Sequence, residues 1–220
     1  MNTRARAIAI SVILFSLLTY LFAWSPIFEV RSIATEGLPQ EVSASSIVAK
    51  SKIEIGQKLS RIEPRSVERT LGELSWVKSV SVNRQWWSGK VIVKISPRIA
   101  VGIYKNQAID SSGILFALPG KTPPGLPVVS ASSPELGLEA IELFTDLPLE
   151  IRDNIISISA ASENSISSWQ QWGSQKLKVT WGTPRQIDLK VNVLQALLQL
   201  PENKSIKRVD LSAPHAPIVK

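Results

Sequence analysis

Glu135, Glu139 and Glu142 stand four and three residues apart, the interval that brings side chains to one face of a helix. Carboxylates so placed are the groups that acid–base cleavage of a sugar polymer uses, and the adjacent pair Trp86-Trp87 offers flat faces for sugar rings. Each feature also has a plainer account. Glutamates at that spacing make a solvated helix face. A tryptophan pair at the end of a strand, beside a turn, suits packing against a neighbouring domain or a membrane interface. The rest of the inventory is poor in chemistry. The chain has no cysteine, and His215, between Ala213-Pro214 and Ala216-Pro217, is its one histidine. Neither a thiol nucleophile nor a zinc site of the usual composition can be assembled. Asp110-Ser111-Ser112-Gly113 lacks the regularly spaced carboxylates of a calcium loop and reads as a hairpin turn. No glycine-rich phosphate loop is present. The sequence predicts no catalytic residue, no cofactor and no metal.

The elements that would position any site start from an anchor. Ala7–Trp24 carries no charged residue, and at about 1.5 Å per residue it matches the ~30 Å apolar core of a bilayer. Arg4 and Arg6 precede it, so residues 1–6 are expected to be a cytoplasmic tail, 7–24 a transmembrane helix, and the bulk of the chain to lie outside the cytoplasm. Tyr20 and Trp24 suit the far interface. A cleavable signal peptide is the alternative, but the apolar core is long and Ala23-Trp24-Ser25-Pro26 makes a poor cleavage site. Net charge is +7. Its densest basic stretch, Lys50 to Arg69, is interrupted by Glu54, Glu63 and Glu68, which reads as a solvated face. Nucleic acid is not an expected partner, since no binding motif accompanies the charge.

Beyond the anchor the pattern is α+β. Phe28–Ala34 reads as a strand. Ser43 caps a short helix through Ile47. Pro64 opens another, with Val67, Leu71 and Leu74 on one face. Val80–Val82 and Val91–Ile95 alternate as strands around Trp87–Lys90. This is a β-α-α-β-β unit ending near Pro97. A β-rich domain with helices packed on one sheet should follow. Its expected strands are Val101–Lys105, Ile114–Leu118 and Ile155–Ala160, then a hairpin of Ser165–Trp172 and Lys176–Trp181 around Gly173-Ser174, and finally Ile206–Leu211. Leu136, Ala140, Leu143 and Phe144 mark one helix, and Val191, Leu194 and Leu198 mark another, from about Asp188 to Leu200. Ala216–Val219 is a weaker strand, because Pro214 and Pro217 lack donors. Trp169, Trp172 and Trp181 should be core residues or cross-strand pairs.

In order along the chain, these residues resemble the bacterial division family FtsQ, called DivIB in Gram-positive organisms. Phe28–Ile33 is similar to the family's opening strand, and Ser51–Leu59 to its S-x-I-x-x-G-x-x-L stretch. Leu74-Ser75-Trp76-Val77-Lys78-Ser79-Val80-Ser81-Val82-Asn83-Arg84 resembles L-x-W-V-x-x-V-x-V-x-R. Ile109–Gly113 resembles the V-D-x-x-G turn, Leu126-Pro127 the following L-P, and Ile206–Ser212 the I-x-x-I-D-L strand. Trp86-Trp87-Ser88 stands where the family usually has a proline.

The resemblance implies a POTRA domain over 27–97 and an FtsQ-type β domain over 98–220. It implies a non-enzymatic, single-pass scaffold of the inner membrane and division septum. Its partners would be FtsB- or DivIC-like and FtsL-like proteins, and it would be coupled to septal peptidoglycan synthases. The last strands would receive a partner strand by edge pairing, with Ile206, Val209, Leu211, Ile218 and Val219 near that edge. Trp76, Val77 and Arg84 would lie on a recruitment surface of the POTRA unit. The rival readings are a POTRA-bearing envelope assembly or secretion factor, and a sugar-polymer enzyme built on the three glutamates.

Overall fold

A computed structural model describes residues 3–24 and 28–220, with side chains described for 6–20 and 28–220. Met1, Asn2, the Trp24 ring, Ser25-Pro26 and Ile27, on which the tail, interface, cleavage-site and domain-start expectations fall in part, lie outside the described residues. The chain divides into two compact units, Met1–Arg98 and Ile99–Lys220.

Unit one opens with helix α1, Thr3–Trp24. Its apolar residues run all round it instead of forming one stripe, and every described side chain from 6 to 20 is exposed. The Thr19 hydroxyl donates to the Phe15 carbonyl at 2.8 Å, so the helix satisfies that polar group internally. The stretch with described side chains rises only about 22 Å, whereas the full helical backbone rises about 33 Å. Among the described residues, no helix is long and apolar enough to cross a membrane.

The rest of unit one is strand β1 (Ser32–Glu36), helices α2 (Ala44–Ser51) and α3 (Pro64–Gly72), and strands β2 (Val77–Gln85) and β3 (Lys90–Pro97). The sheet order is β1-β3-β2, with β1 parallel and β2 antiparallel to β3. The alternation in β3 does what the sequence predicts: Val91, Val93 and Ile95 are all buried. Val67 and Leu71 from α3 and Ile47 from α2 are buried with them. Ser43 caps α2 by accepting from the Ser46 N–H, and Pro64 occupies the first turn of α3. Gly37, just after β1, has φ +77°, and a Cβ there would fall 2.1 Å from the Ile95 carbonyl oxygen. No other residue fits that approach. The opening strand begins later than expected. Val30 donates to Gln57 O and accepts from Gly56 N–H, so its backbone is tied to the loop after α2 and the ladder starts at Ser32.

Unit two contains β4 (Ala100–Tyr104), β5 (Gln107–Asp110), β6 (Leu115–Phe116), β7 (Val128–Ala131), α4 (Pro134–Asp146), α5 (Leu149–Arg152), β8 (Ile155–Ala160), β9 (Ile166–Trp172), β10 (Gln175–Gly182), α6 (Ile187–Gln199), β11 (Arg208–Asp210) and β12 (Ile218–Val219). Nine strands form one mixed sheet in the order β12-β11-β10-β9-β8-β7-β4-β5-β6. The sheet has three parallel steps. β7–β8 and β10–β11 are joined through helices, and β4–β7 through β5, β6 and a loop, the long crossovers that parallel neighbours require. Ala140, Leu143 and Phe144 of α4 and Val191 and Leu194 of α6 share one core with Leu177, Val179, Trp181, Ile206, Val209 and Leu211.

Three elements of this unit are additions to the sequence reading: β5, β7 and α5. The β4–β5 hairpin turns at Lys105 and Asn106, both at positive φ (47° and 64°). That geometry suits a two-residue turn, but Lys-Asn advertises it weakly. The Asp110 turn is a hairpin between β5 and β6. Asp110 is buried, and its Oδ1 accepts from the N–H groups of Ser112 (2.9 Å) and Ile114 (3.0 Å). Asp110→Ala leaves two amides of the turn without that acceptor and should lower the stability of unit two by about 1–3 kcal/mol in urea melts. A loss no larger than that of the exposed Ser111→Ala would show that the carboxylate does not hold the turn.

Candidate functional site

A surface that recruits another chain through backbone needs unpaired N–H and C=O groups at a sheet edge. The three-stranded sheet of unit one offers little at β2. The Val82 N–H donates to the Glu68 carboxylate of α3 at 3.1 Å. Arg84 reaches from the same strand to the carbonyls of Leu59 (3.0 Å) and Ile62 (2.8 Å), and its guanidinium lies 5.2 Å from the centre of the Trp86 ring. Trp76 and Val77 are buried at 8% and 4% exposure. Trp76, Val77 and Arg84 are the three residues expected on a recruitment surface. Two of these residues are core, and the third braces the segment before α3 against the sheet.

In the nine-stranded sheet both outer strands have two residues. Phe116 of β6 is buried, whereas Ile218 and Val219 of β12 are 56% and 36% exposed. β11 is not the free edge. It pairs in parallel with β10 through Lys178↔Arg208 and Thr180↔Asp210, and antiparallel with β12 through Val209↔Val219 and Asp210↔Ile218. Arg208 and Lys220 exchange both backbone bonds (2.9 and 3.0 Å). Ile206, Val209 and Leu211 are buried in the core, because β11 has a neighbour on each side and helices over one face. Their side chains lie behind the edge strand, in the core.

The geometry of the edge follows from that register. Residues in an antiparallel ladder alternate between facing their partner and facing away. Lys220 bonds inward to Arg208, so the N–H and C=O of Val219 point outward. Pro217, two residues earlier, brings no donor. Side chains alternate too. Ile218 shares the solvent face with Lys178, Thr180, Arg208, Asp210 and Lys220, which line a groove of about 210 Å³. Three of those groups are cations. Asp210 is engaged locally, accepting from the backbone and hydroxyl of Ser212 at 2.9 and 2.6 Å.

The three glutamates lie on α4, outside the core cluster of unit two. Glu135 and Glu142 are exposed on α4 and Glu139 half-buried. The Glu135 carboxylate is held below the usual range by its own backbone N–H and by Ser133, the opposite of the raised pKa that a general acid needs. Trp181 is buried, and Trp172 packs partly against the core. Trp169 faces solvent at 40% exposure, opposite Lys178 in the β9–β10 ladder, with that ammonium 6.0 Å from its ring centre.

A β-α-α-β-β unit followed by a helix-backed mixed sheet ending in a short exposed strand defines a two-unit α+β protein. Residues 28–98 match the family model "POTRA domain, FtsQ-type", and residues 98–212 match "Cell division protein FtsQ/DivIB, C-terminal". The chain belongs to the FtsQ/DivIB family of cell division proteins. It is similar to Cell division protein FtsQ of Streptomyces bingchenggensis, with 27% identity covering 91% of this chain and 79% of the relative. The corresponding protein of Streptomyces griseus is 27% identical over 86% of this chain and 96% of its own length. That of Haemophilus influenzae is 24% identical over 94% and 85%.

Proposed function

We propose that this chain is a single-pass scaffold of the divisome. Ala7–Trp24 spans the inner membrane with residues 1–6 in the cytoplasm. The rest of unit one and all of unit two lie on the far side of the membrane, and the β12 edge accepts a strand from an FtsB- or DivIC-like partner held with an FtsL-like protein. By gathering these proteins at the septum it couples them to peptidoglycan synthases, and it breaks no bonds itself. The observation that carries this reading is the outward-facing backbone of Val219 on a two-residue edge strand with exposed side chains. Three cations beside it suit an acidic partner segment. The exposed, all-round apolar surface of α1 supports the membrane span. Anchoring in the same bilayer raises the effective concentration of the partners, so a short edge contact can suffice.

The test uses the chosen edge. Val219→Pro removes one outward donor while leaving the inward bonds between Lys220 and Arg208 in place. Binding of the full chain in nanodiscs to an FtsB-like peptide should weaken by about tenfold or more, the equivalent of ~1.4 kcal/mol, with an unchanged urea midpoint. Undiminished binding would remove edge pairing as the mode. A fluorescent fusion that labels the cell periphery evenly, with no septal band, would remove the division role.

A further inference from the structure

We infer that the tip of the β2–β3 hairpin, through Trp87 with Trp86 and Phe28 behind it, rests in the headgroup region of the bilayer. It would form a second attachment to the membrane next to the helix. The inference rests on the reading of α1 as a transmembrane span.

Trp87 is 89% exposed, the largest apolar side chain of the POTRA unit left outside its core. It belongs to a cluster: the Phe28 ring lies 6.0 Å from that of Trp86 and 6.3 Å from that of Trp87, edge to face in both cases. Contacts of this kind fix a large flat group at the surface instead of letting it fold inward. The hairpin is held against the start of the unit by backbone. The N–H groups of Arg31 and Ser32 donate to Gly89 O at 2.7 and 3.4 Å. Gly89 has φ +70°, and a Cβ there would sit 2.6 Å from the Glu29 carbonyl and 2.7 Å from the Arg31 side chain, so the turn approaches as closely as a glycine allows.

Connectivity then sets the distance to the bilayer. Phe28 is four residues beyond Trp24, the last residue of α1. Four steps of extended chain cover at most about 14 Å. The headgroup layer that flanks the ~30 Å core is itself several ångströms thick. The aromatic cluster is therefore confined near the interface by chain length, whatever path the link takes.

Charge around the cluster favours a phospholipid surface as the occupant. Arg31 and Lys90 flank the turn, and Arg84 stacks on Trp86. Glu29, the acid beside them, is ion-paired with Lys58 at 2.7 Å. Tryptophan is the side chain that favours this layer, with an apolar body and one N–H for the wet side. Basic neighbours add attraction to anionic headgroups.

The experiment places single reporters in the full chain, which has no cysteine to compete. Ser88→Cys at the hairpin tip, Ser79→Cys toward the other end of the same hairpin, and Phe15→Cys in α1 each carry a nitroxide. Each protein is reconstituted in vesicles of zwitterionic lipid with one quarter anionic lipid. Collision with oxygen and with a water-soluble nickel chelate gives the depth of each label. The label at 88 should be several-fold less accessible to the chelate and more accessible to oxygen than the label at 79. Trp87→Ser in the same reporter chain should abolish that difference. Equal accessibility at 88 and 79, with the label at 15 deep in lipid, overturns the hairpin contact and leaves the membrane span intact. A label at 15 open to the chelate overturns both. Shielding of 88 from both reagents, or spin–spin broadening there, would mean cover by protein and overturns the inference.

Discussion

Truncation of Trp181 to alanine should destabilise unit two by about 3–5 kcal/mol, a large part of the ~5–15 kcal/mol that holds a typical domain. Three separate losses meet at this residue. The indole is fully buried within the sheet–helix core beside Leu177 and Val179, so its removal leaves a void that close-packed neighbours fill only partly. Its Nε1 donates to the Ser168 hydroxyl at 2.9 Å in buried surroundings, and Ser168 would be left without that donor. Its carbonyl accepts from the buried Lys190, so movement of the strand disturbs a second polar contact. Hydrogen exchange of amides in 155–211 measures the unit directly, which avoids treating a two-unit chain as one transition. Trp169→Ala is the control, because that ring is 40% exposed on the opposite face and should cost under about 1 kcal/mol. Equal effects from the two tryptophans would mean that burial does not decide their contributions.

The contrast between these tryptophans shows what a sequence reading reaches. Periodicity placed Leu177, Val179 and Trp181 on one face of β10, and Gly173-Ser174 announced the turn into it, because alternation and turn chemistry are local. Val91, Val93 and Ile95 were legible for the same reason. The β4–β5 hairpin was not, since a Lys-Asn turn at positive φ carries no glycine. β7 is four residues long, too short for alternation to accumulate.

The order of strands at this end of the sheet was less legible than the strands themselves. Alternation marks a strand but does not say how many neighbours it has. The resemblance set Ile206–Leu211 and Ala216–Lys220 together at the edge, and Pro214 and Pro217 made the second segment read as the weaker strand. The structure puts that segment, β12, outermost and β11 inside it. The motif around Trp76, Val77 and Arg84 identified the family by its core. Core positions are recognisable because packing and internal hydrogen bonds restrict them, and that burial also removes them from any contact surface.

Lys190 was invisible as a special residue in the sequence, and its replacement by methionine should cost about 2–4 kcal/mol at neutral pH. The side chain is 2% exposed, and its Nζ donates to the carbonyls of Trp181 (2.6 Å) and Thr183 (2.7 Å). Methionine keeps most of the volume but leaves both carbonyls without that donor, at ~1–3 kcal/mol each and less than additively. Against this stands the relief of no longer burying an ammonium. Two short bonds to two acceptors outweigh that relief, because the amine can keep both bonds even after it loses its proton. Burial lowers the amine pKa below the ordinary lysine value of 10.5. Between the folded value and 10.5 the unfolded chain holds more protons, so this group raises stability as pH climbs through that window, and its penalty is fully present below it. The methionine variant lacks the term. The gap in urea midpoint between the two proteins should therefore widen from pH 7 to pH 10, with other titrating groups cancelling in the difference. A gap that stays constant or narrows would show that Lys190 is not held in the folded state as a desolvated amine.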